Sequence, residues 1–194
     1  MGFGHSSRGR RLQERGLAVR ITGGTLCGRT VECPEGVIRP AMDRMRESLF
    51  AILGDLTGKS FLDMFSGSGI CALEAASRGA HPVFLVEKDP LKVKTIFENV
   101  SIAPNRIECK FMSVELFLKR TKESFDIIYL DPPFPYKFHE SLVEMTGELP
   151  VLKTGGLTLI HRPKEREMHD EIGNMKRIDQ RTYGRSIVDF YIKN

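Results

Sequence analysis

Two short segments carry residues able to do chemistry. In the first, Asp63-Met64-Phe65-Ser66-Gly67-Ser68-Gly69 is followed by Glu87, twenty residues after Gly67. Glycines at 67 and 69 let the backbone approach a ligand without Cβ clashes, and an acid ending the next strand can accept hydrogen bonds from both hydroxyls of a ribose. The spacing predicts an adenosine-containing ligand. Gly67-Ser68-Gly69-Ile70-Cys71-Ala72 also satisfies the dinucleotide fingerprint G-x-G-x-x-A, which keeps an NAD-dependent oxidoreductase open. Asp63 speaks against it, because a carboxylate there repels a pyrophosphate but accepts hydrogen bonds from a ligand's ammonium group or its water shell. A cationic amino-acid sulfonium fits better, so S-adenosylmethionine is the expected cofactor.

The second segment is Asp131-Pro132-Pro133-Phe134, directly after the apolar run FDIIYL. An exocyclic amine on a nucleobase has its lone pair delocalised into the ring and is a poor nucleophile until its nitrogen is held nearer tetrahedral. The Asp131 carboxylate and the Pro132 carbonyl can each accept one N–H, the two prolines fix those acceptors, and Phe134 can stack on an extruded base. Tyr136 is a second candidate for stacking. No general base with a shifted pKa is required, since the amine becomes acidic once methylated and its proton can pass to Asp131 or to water.

These residues need a scaffold, and the pattern supplies one. SFLDMF, PVFLVE, RIECKF, FDIIYL and GGLTLIHR read as strands alternating with helices, and MKRIDQRTY and SIVDFYIKN as two final strands joined at Tyr183-Gly184-Arg185. A strand as apolar as FDIIYL is buried on both faces, which is the mark of a parallel sheet. Ahead of it, Val19–Thr22 and Arg29–Cys33 predict a hairpin, and Pro40 begins a helix with Met42, Met45, Leu49, Phe50 and Leu53 on one face. Ser113 is placed to cap the helix after the third sheet strand. The expected fold is α/β, a doubly wound and mostly parallel seven-stranded sheet with a small N-terminal β-hairpin and helix. Both chemical segments then fall at the carboxyl ends of neighbouring strands, where open α/β sheets bind ligands.

Length and composition agree with this. The 194 residues, 41% apolar and 28% charged, suit one compact domain and exclude disorder for most of the chain. The net charge of +4 divides unevenly, at +5 over residues 1–46, −3 over 47–160 and +2 over 161–194. Cys27, Cys33, Cys71 and Cys109 lack C-x-x-C spacing, so they read as reduced thiols of a cytoplasmic protein with no metal site. No run is long and apolar enough for a membrane span, and the Arg-rich start lacks the apolar segment of a signal peptide.

The order of VRITGGTLCGRTV, IRPAMDRMRESLF, FLDMFSGSGICALEAASRGA, LVEKDP, IIYLDPPF and TYGRS resembles the bacterial 16S ribosomal RNA guanine-N2 methyltransferases of the RsmD type. The resemblance implies a class I S-adenosylmethionine-dependent methyltransferase fold acting on one guanine of 16S rRNA, free or in an assembling small ribosomal subunit. Asp63, Phe65, Gly67 and Gly69 would line the methionine side of the cofactor, Glu87 its ribose and Ser113 its adenine, while Asp131 to Phe134 would hold the guanine amine. Arg20, Arg29, Arg39, Arg44 and Arg46 would meet RNA phosphates, with Tyr136 beside them. The implied organisation is an extension over 1–18, an RNA-facing hairpin and helix over 19–54 and a methyltransferase domain over 55–194. Two positions depart from the family pattern: Ala41 stands where threonine is usual, and Ser113 where Asp or Asn is usual. A DNA adenine-N6 methyltransferase would share both chemical segments, and a non-catalytic RNA-binding protein on the same scaffold is the alternative outside enzymes.

Overall fold

The computed structural model describes residues 17–33 and 40–194. Arg39 and the expected extension up to residue 16 lie outside the described residues. Strand β1 (Leu17–Arg20) pairs antiparallel with β2 (Thr30–Cys33), Leu17 facing Cys33 and Arg20 facing Thr30, around a 3-10 turn at Gly24–Leu26. Helix α1 (Pro40–Leu53) follows. The chain then alternates through β3 (Phe61–Met64), α2 (Ile70–Ser77), β4 (Val83–Val86), α3 (Val93–Val100), β5 (Ile107–Lys110), α4 (Val114–Arg120), β6 (Phe125–Leu130), α5 (His139–Glu148) and β7 (Leu152–Pro163). It ends in an antiparallel meander of β8 (Glu171–Ile172), β9 (Met175–Tyr183) and β10 (Ser186–Lys193).

The main sheet has the order β5-β4-β3-β6-β7-β10-β9-β8. Strands β5, β4, β3, β6 and β7 are parallel, and β10 runs antiparallel between β7 and β9. The chain winds outward from β3 to β5, then returns to place β6 on the other side of β3. This reversal opens a crevice at the carboxyl ends of β3 and β6. All seven sheet strands expected from the sequence are present. The eighth, β8, has two residues, too few for any periodicity to reveal.

Side-chain alternation divides the core into two halves. Phe61, Leu85, Ile127, Tyr129 and Leu159 pack on one face against α1, α2 and the hairpin residues Ile21, Leu26 and Val31. Leu62, Met64, Val86, Ile128, Leu130 and Ile160 pack on the other with residues of α4 and α5. Both faces are covered, as parallel strands require.

The hairpin is fastened to α2 by a buried polar cluster. Glu74, fully buried, accepts hydrogen bonds through Oε1 from Thr22 N (2.8 Å), Thr22 Oγ1 (2.9 Å) and Arg46 Nε (3.3 Å), and Arg78 Nε lies 3.6 Å from Oε2. Ser77 Oγ donates to the Gly23 carbonyl at 2.5 Å and accepts from Leu26 N at 2.9 Å. Gly24 has φ +73°, and a Cβ there would stand 1.8 Å from the Ser77 carbonyl oxygen, so no other residue fits. One expectation is corrected here. Arg46, assigned to RNA phosphates, is 7% exposed and engages Glu74, Asp43 (3.0 Å) and the Arg20 carbonyl (2.9 Å), because burial of Glu74 demands a cation beside it.

Replacing Glu74 by Ala leaves buried Arg46 with Asp43 as its one remaining ion-pair partner among the described residues and Arg78 with none, and should lower the unfolding free energy by about 3–5 kcal/mol, read from the urea midpoint. A loss below about 1 kcal/mol would show that the cluster does not hold the hairpin.

Candidate active site

The crevice is built from the carboxyl ends of β3, β4 and β6. Asp63 is the third residue of β3 and is 1% exposed. Its Oδ2 accepts from Ser66 Oγ (2.8 Å) and from Ala72 N (3.1 Å) in the first turn of α2, so one oxygen ties the loop to the helix that follows it. Between Asp63 and Ala72, the residues Phe65, Gly67 and Gly69 have φ of 62°, 60° and 81°. Glycine adopts such values freely, whereas Phe65 is held there by its surroundings, its ring lying edge-on to Tyr136 at 5.5 Å.

Glu87 follows β4 and is 5% exposed. The two residues that the sequence pairs across twenty positions meet directly, Gly67 N donating to Glu87 Oε2 at 2.9 Å. Lys92 Nζ approaches the same oxygen at 3.2 Å, and Oε1 accepts from Lys88 N and Asp89 N, each at 2.9 Å. A carboxylate offers about four acceptor positions. Of its four donors here, only the Lys92 ammonium sits on a flexible side chain able to yield to a ribose hydroxyl. Lys92 was not among the residues singled out from the sequence. Nor was Glu115, whose Oε1 accepts from Tyr136 Oη at 2.7 Å.

Asp131 continues β6, its backbone N–H donating to the Met64 carbonyl at 3.1 Å, which locks the tetrapeptide to the end of β3. Pro132 is buried and Phe134 is 44% exposed at the mouth. Asp131 Oδ1 is 2.6 Å from His161 Nδ1, and the Phe134 ring lies edge-on to the His161 ring at 5.7 Å. Sequence reasoning missed His161 as well. The signal was register: Leu130 pairs with Ile160, so the next residues of β6 and β7 stand level at the sheet's end.

Asp63, Glu87 and Asp131 therefore converge on the glycine loop. Burial pushes the Asp63 carboxyl up to about 7, against the hydrogen bonds from Ser66 and Ala72, and the charges of Asp131 and Glu87 push it further the same way. Such a site repels a pyrophosphate and favours a cation, which weighs against the dinucleotide reading.

The remaining expected residues divide. Ser113 caps α4, its Oγ accepting from Leu116 N at 3.3 Å. Tyr136, expected at the RNA surface, is half-buried as a wall joining Phe65 to Glu115. Arg20, Arg29 and Arg44 are exposed and make no ion pair among the described residues.

Residues 19–192 match the family described as conserved hypothetical protein 95. The ribosomal RNA small subunit methyltransferase D of Haemophilus influenzae is 32% identical over 162 residues, covering 77% of this chain and 81% of that protein. The YlbH protein of Bacillus subtilis is 27% identical over 183 residues, covering 90% of this chain and 99% of its own length. Among solved structures, the yhhF protein of Escherichia coli superposes with a TM-score of 0.82 at 26% identity, covering 91% of this chain and 98% of that one. With so much of its length matched, the chain belongs to the conserved hypothetical protein 95 family, that of the RsmD-type methyltransferases.

Proposed function

We propose that this protein transfers a methyl group from S-adenosylmethionine to the exocyclic N2 of one guanine in 16S rRNA, presented free or within an assembling small ribosomal subunit. The observation that carries the reading is the convergence of Asp63, Glu87 and Asp131 at the carboxyl ends of three adjacent strands, around a glycine loop. These residues fit the cofactor: Glu87 would hold its ribose, Asp63 and the loop from Phe65 to Gly69 its cationic amino acid, and Ser113, at the start of α4, would meet the adenine side. When bound, S-adenosylmethionine supplies an electrophilic methyl group on a sulfonium.

The chain's own residues do the rest. Asp131 and the Pro132 carbonyl accept the two amine N–H groups and draw the nitrogen out of conjugation, Pro133 stiffens the turn, and Phe134 stacks on the base. As the nitrogen gains its methyl group it sheds one proton, taken by Asp131 or solvent. Arg20, Arg29 and Arg44 supply exposed positive charge for phosphates on the hairpin and α1. A cytoplasmic location accompanies this function, and among the described residues no helix is long and apolar enough to cross a membrane.

Four outcomes are expected. Deleting the gene removes one N2-methylguanosine from 16S rRNA when modified guanines are mapped, and an unchanged map overturns the reading. Asp131→Ala lowers kcat by about 100-fold or more while the cofactor Kd stays within about threefold, as measured by radiolabel transfer and calorimetry. Because Asp63 is held up at about 7 and a nearby cation favours its ionised form, cofactor affinity rises as pH increases from 5.5 to 7.5. Asp63→Asn, with nothing to ionise, should flatten that dependence.

A further inference from the structure

His161 is buried to 2% exposure among parallel and antiparallel neighbours, Ile160 beside it pairing with Leu130 of β6 and His161 itself opposite Val188 of β10. Alternation along β7 puts it on the same face as Leu159, and alternation along β6 puts Asp131 on the same face as Tyr129. The two side chains meet there at 2.6 Å between Nδ1 and Oδ1. The other ring nitrogen, Nε2, is buried with no hydrogen-bond partner among the described residues.

That asymmetry carries information. An ionised carboxylate only accepts, so the proton of a neutral imidazole must sit on Nδ1 and point at Asp131. Nε2 is then left as a buried, unpaired lone pair, an arrangement that costs free energy and that an apolar side chain would avoid. A histidine serving the core alone would have both nitrogens satisfied or neither directed at the site. Here the single hydrogen bond goes to one oxygen of the proposed amine acceptor and leaves Oδ2 free. The same ring supports Phe134 edge-on, so one side chain sets both the acceptor and the stacking surface.

We infer that His161 is a positioning residue for methyl transfer, fixing the Asp131 carboxylate so that Oδ2 faces the target amine and holding Phe134 against the base. This rests on the reading of Asp131 as the amine's acceptor. His161 itself does not touch the reacting atoms. Its effect runs through the angle and position of Asp131, where a displacement near 1 Å costs on the order of 100-fold in rate. His161 makes no hydrogen bond to Asp63 or Glu87 among the described residues, so its loss should weigh on turnover far more than on cofactor binding.

The test measures methyl transfer from radiolabelled S-adenosylmethionine to small ribosomal subunits isolated from a strain lacking the gene, with rates normalised to the cofactor-binding fraction by calorimetry. His161→Leu should lower kcat by about 10- to 100-fold with KM for subunits and cofactor Kd within about threefold. His161→Asn places an amide N–H where Nδ1–H stands and should recover most of kcat, whereas His161→Gln, whose amide N–H falls nearer the place of Nε2, should not. Wild-type kcat in His161→Leu, or equal losses in the Asn and Gln variants, overturns the inference. Asp131→Ala run alongside separates the two levels. If that variant stays active the reading of Asp131 itself fails, and if it is inactive while His161→Leu is normal only the role of His161 falls.

Discussion

The site is organised around one buried oxygen. Oδ2 of Asp63 takes hydrogen bonds from Ser66 Oγ and Ala72 N, and so joins the central strand, the loop and the first turn of α2 at one point. With Gly67 N on Glu87, Ser66 N on the Val86 carbonyl and Asn99 on the Ser68 carbonyl, that acceptor helps hold three positive φ values within five residues. The loop's shape in turn presents Gly67 N to Glu87, which aligns the end of β4 with the end of β3. A carboxylate this deep resists ionisation, and the neighbouring Glu87 and Asp131 oppose it further. The loop is thereby held by a group whose charged form is satisfied best when a cation is nearby, which links the architecture of the crevice to the charge of its ligand.

A second carboxylate plays the corresponding part for the N-terminal segment. Glu74 lies on α2, the helix that Asp63 anchors, and gathers Thr22, Arg46 and Arg78 around itself. Core contacts of Ile21, Leu26 and Val31 add apolar burial to the same junction. Both carboxylates act on one helix, Asp63 from β3 through Ala72 N and Glu74 from within α2, so the placement of the hairpin and the shape of the glycine loop are mechanically connected. Arg46 belongs to this junction, and the hairpin and α1 face solvent with Arg20, Arg29 and Arg44.

Much of this was legible in the residues themselves. Phe61-Leu62-Asp63-Met64 and Ile127-Ile128-Tyr129-Leu130 alternate between the two halves of the core, and continuing the same parity beyond the strands sets Asp63, Glu87, Asp131 and His161 on one face. The glycine pair and the strand-end acid twenty residues on were read as two sides of one ligand site, and the fold brings them into contact at 2.9 Å. What escaped were side chains whose partners are remote in sequence and share no motif with them. Arg46 looks like a surface cation on an amphipathic helix until Glu74, 28 residues on, is found buried beside it. Tyr136 likewise looks exposed until Phe65 and Glu115 are folded against it. His161 lay at the end of a recognised strand, and only the pairing of β7 with β6 shows that it stands level with Asp131.

The attachment of Thr22 to Glu74 spans 52 residues. A two-stranded hairpin is marginal in water on its own, so β1 and β2 have no stable place until α2 exists to receive them. At translation speeds of roughly 5–20 residues per second, Glu74 is polymerised about 3–10 s after Thr22. The hairpin is thus made early and settles late, its final place set only when the helix that receives it has been made.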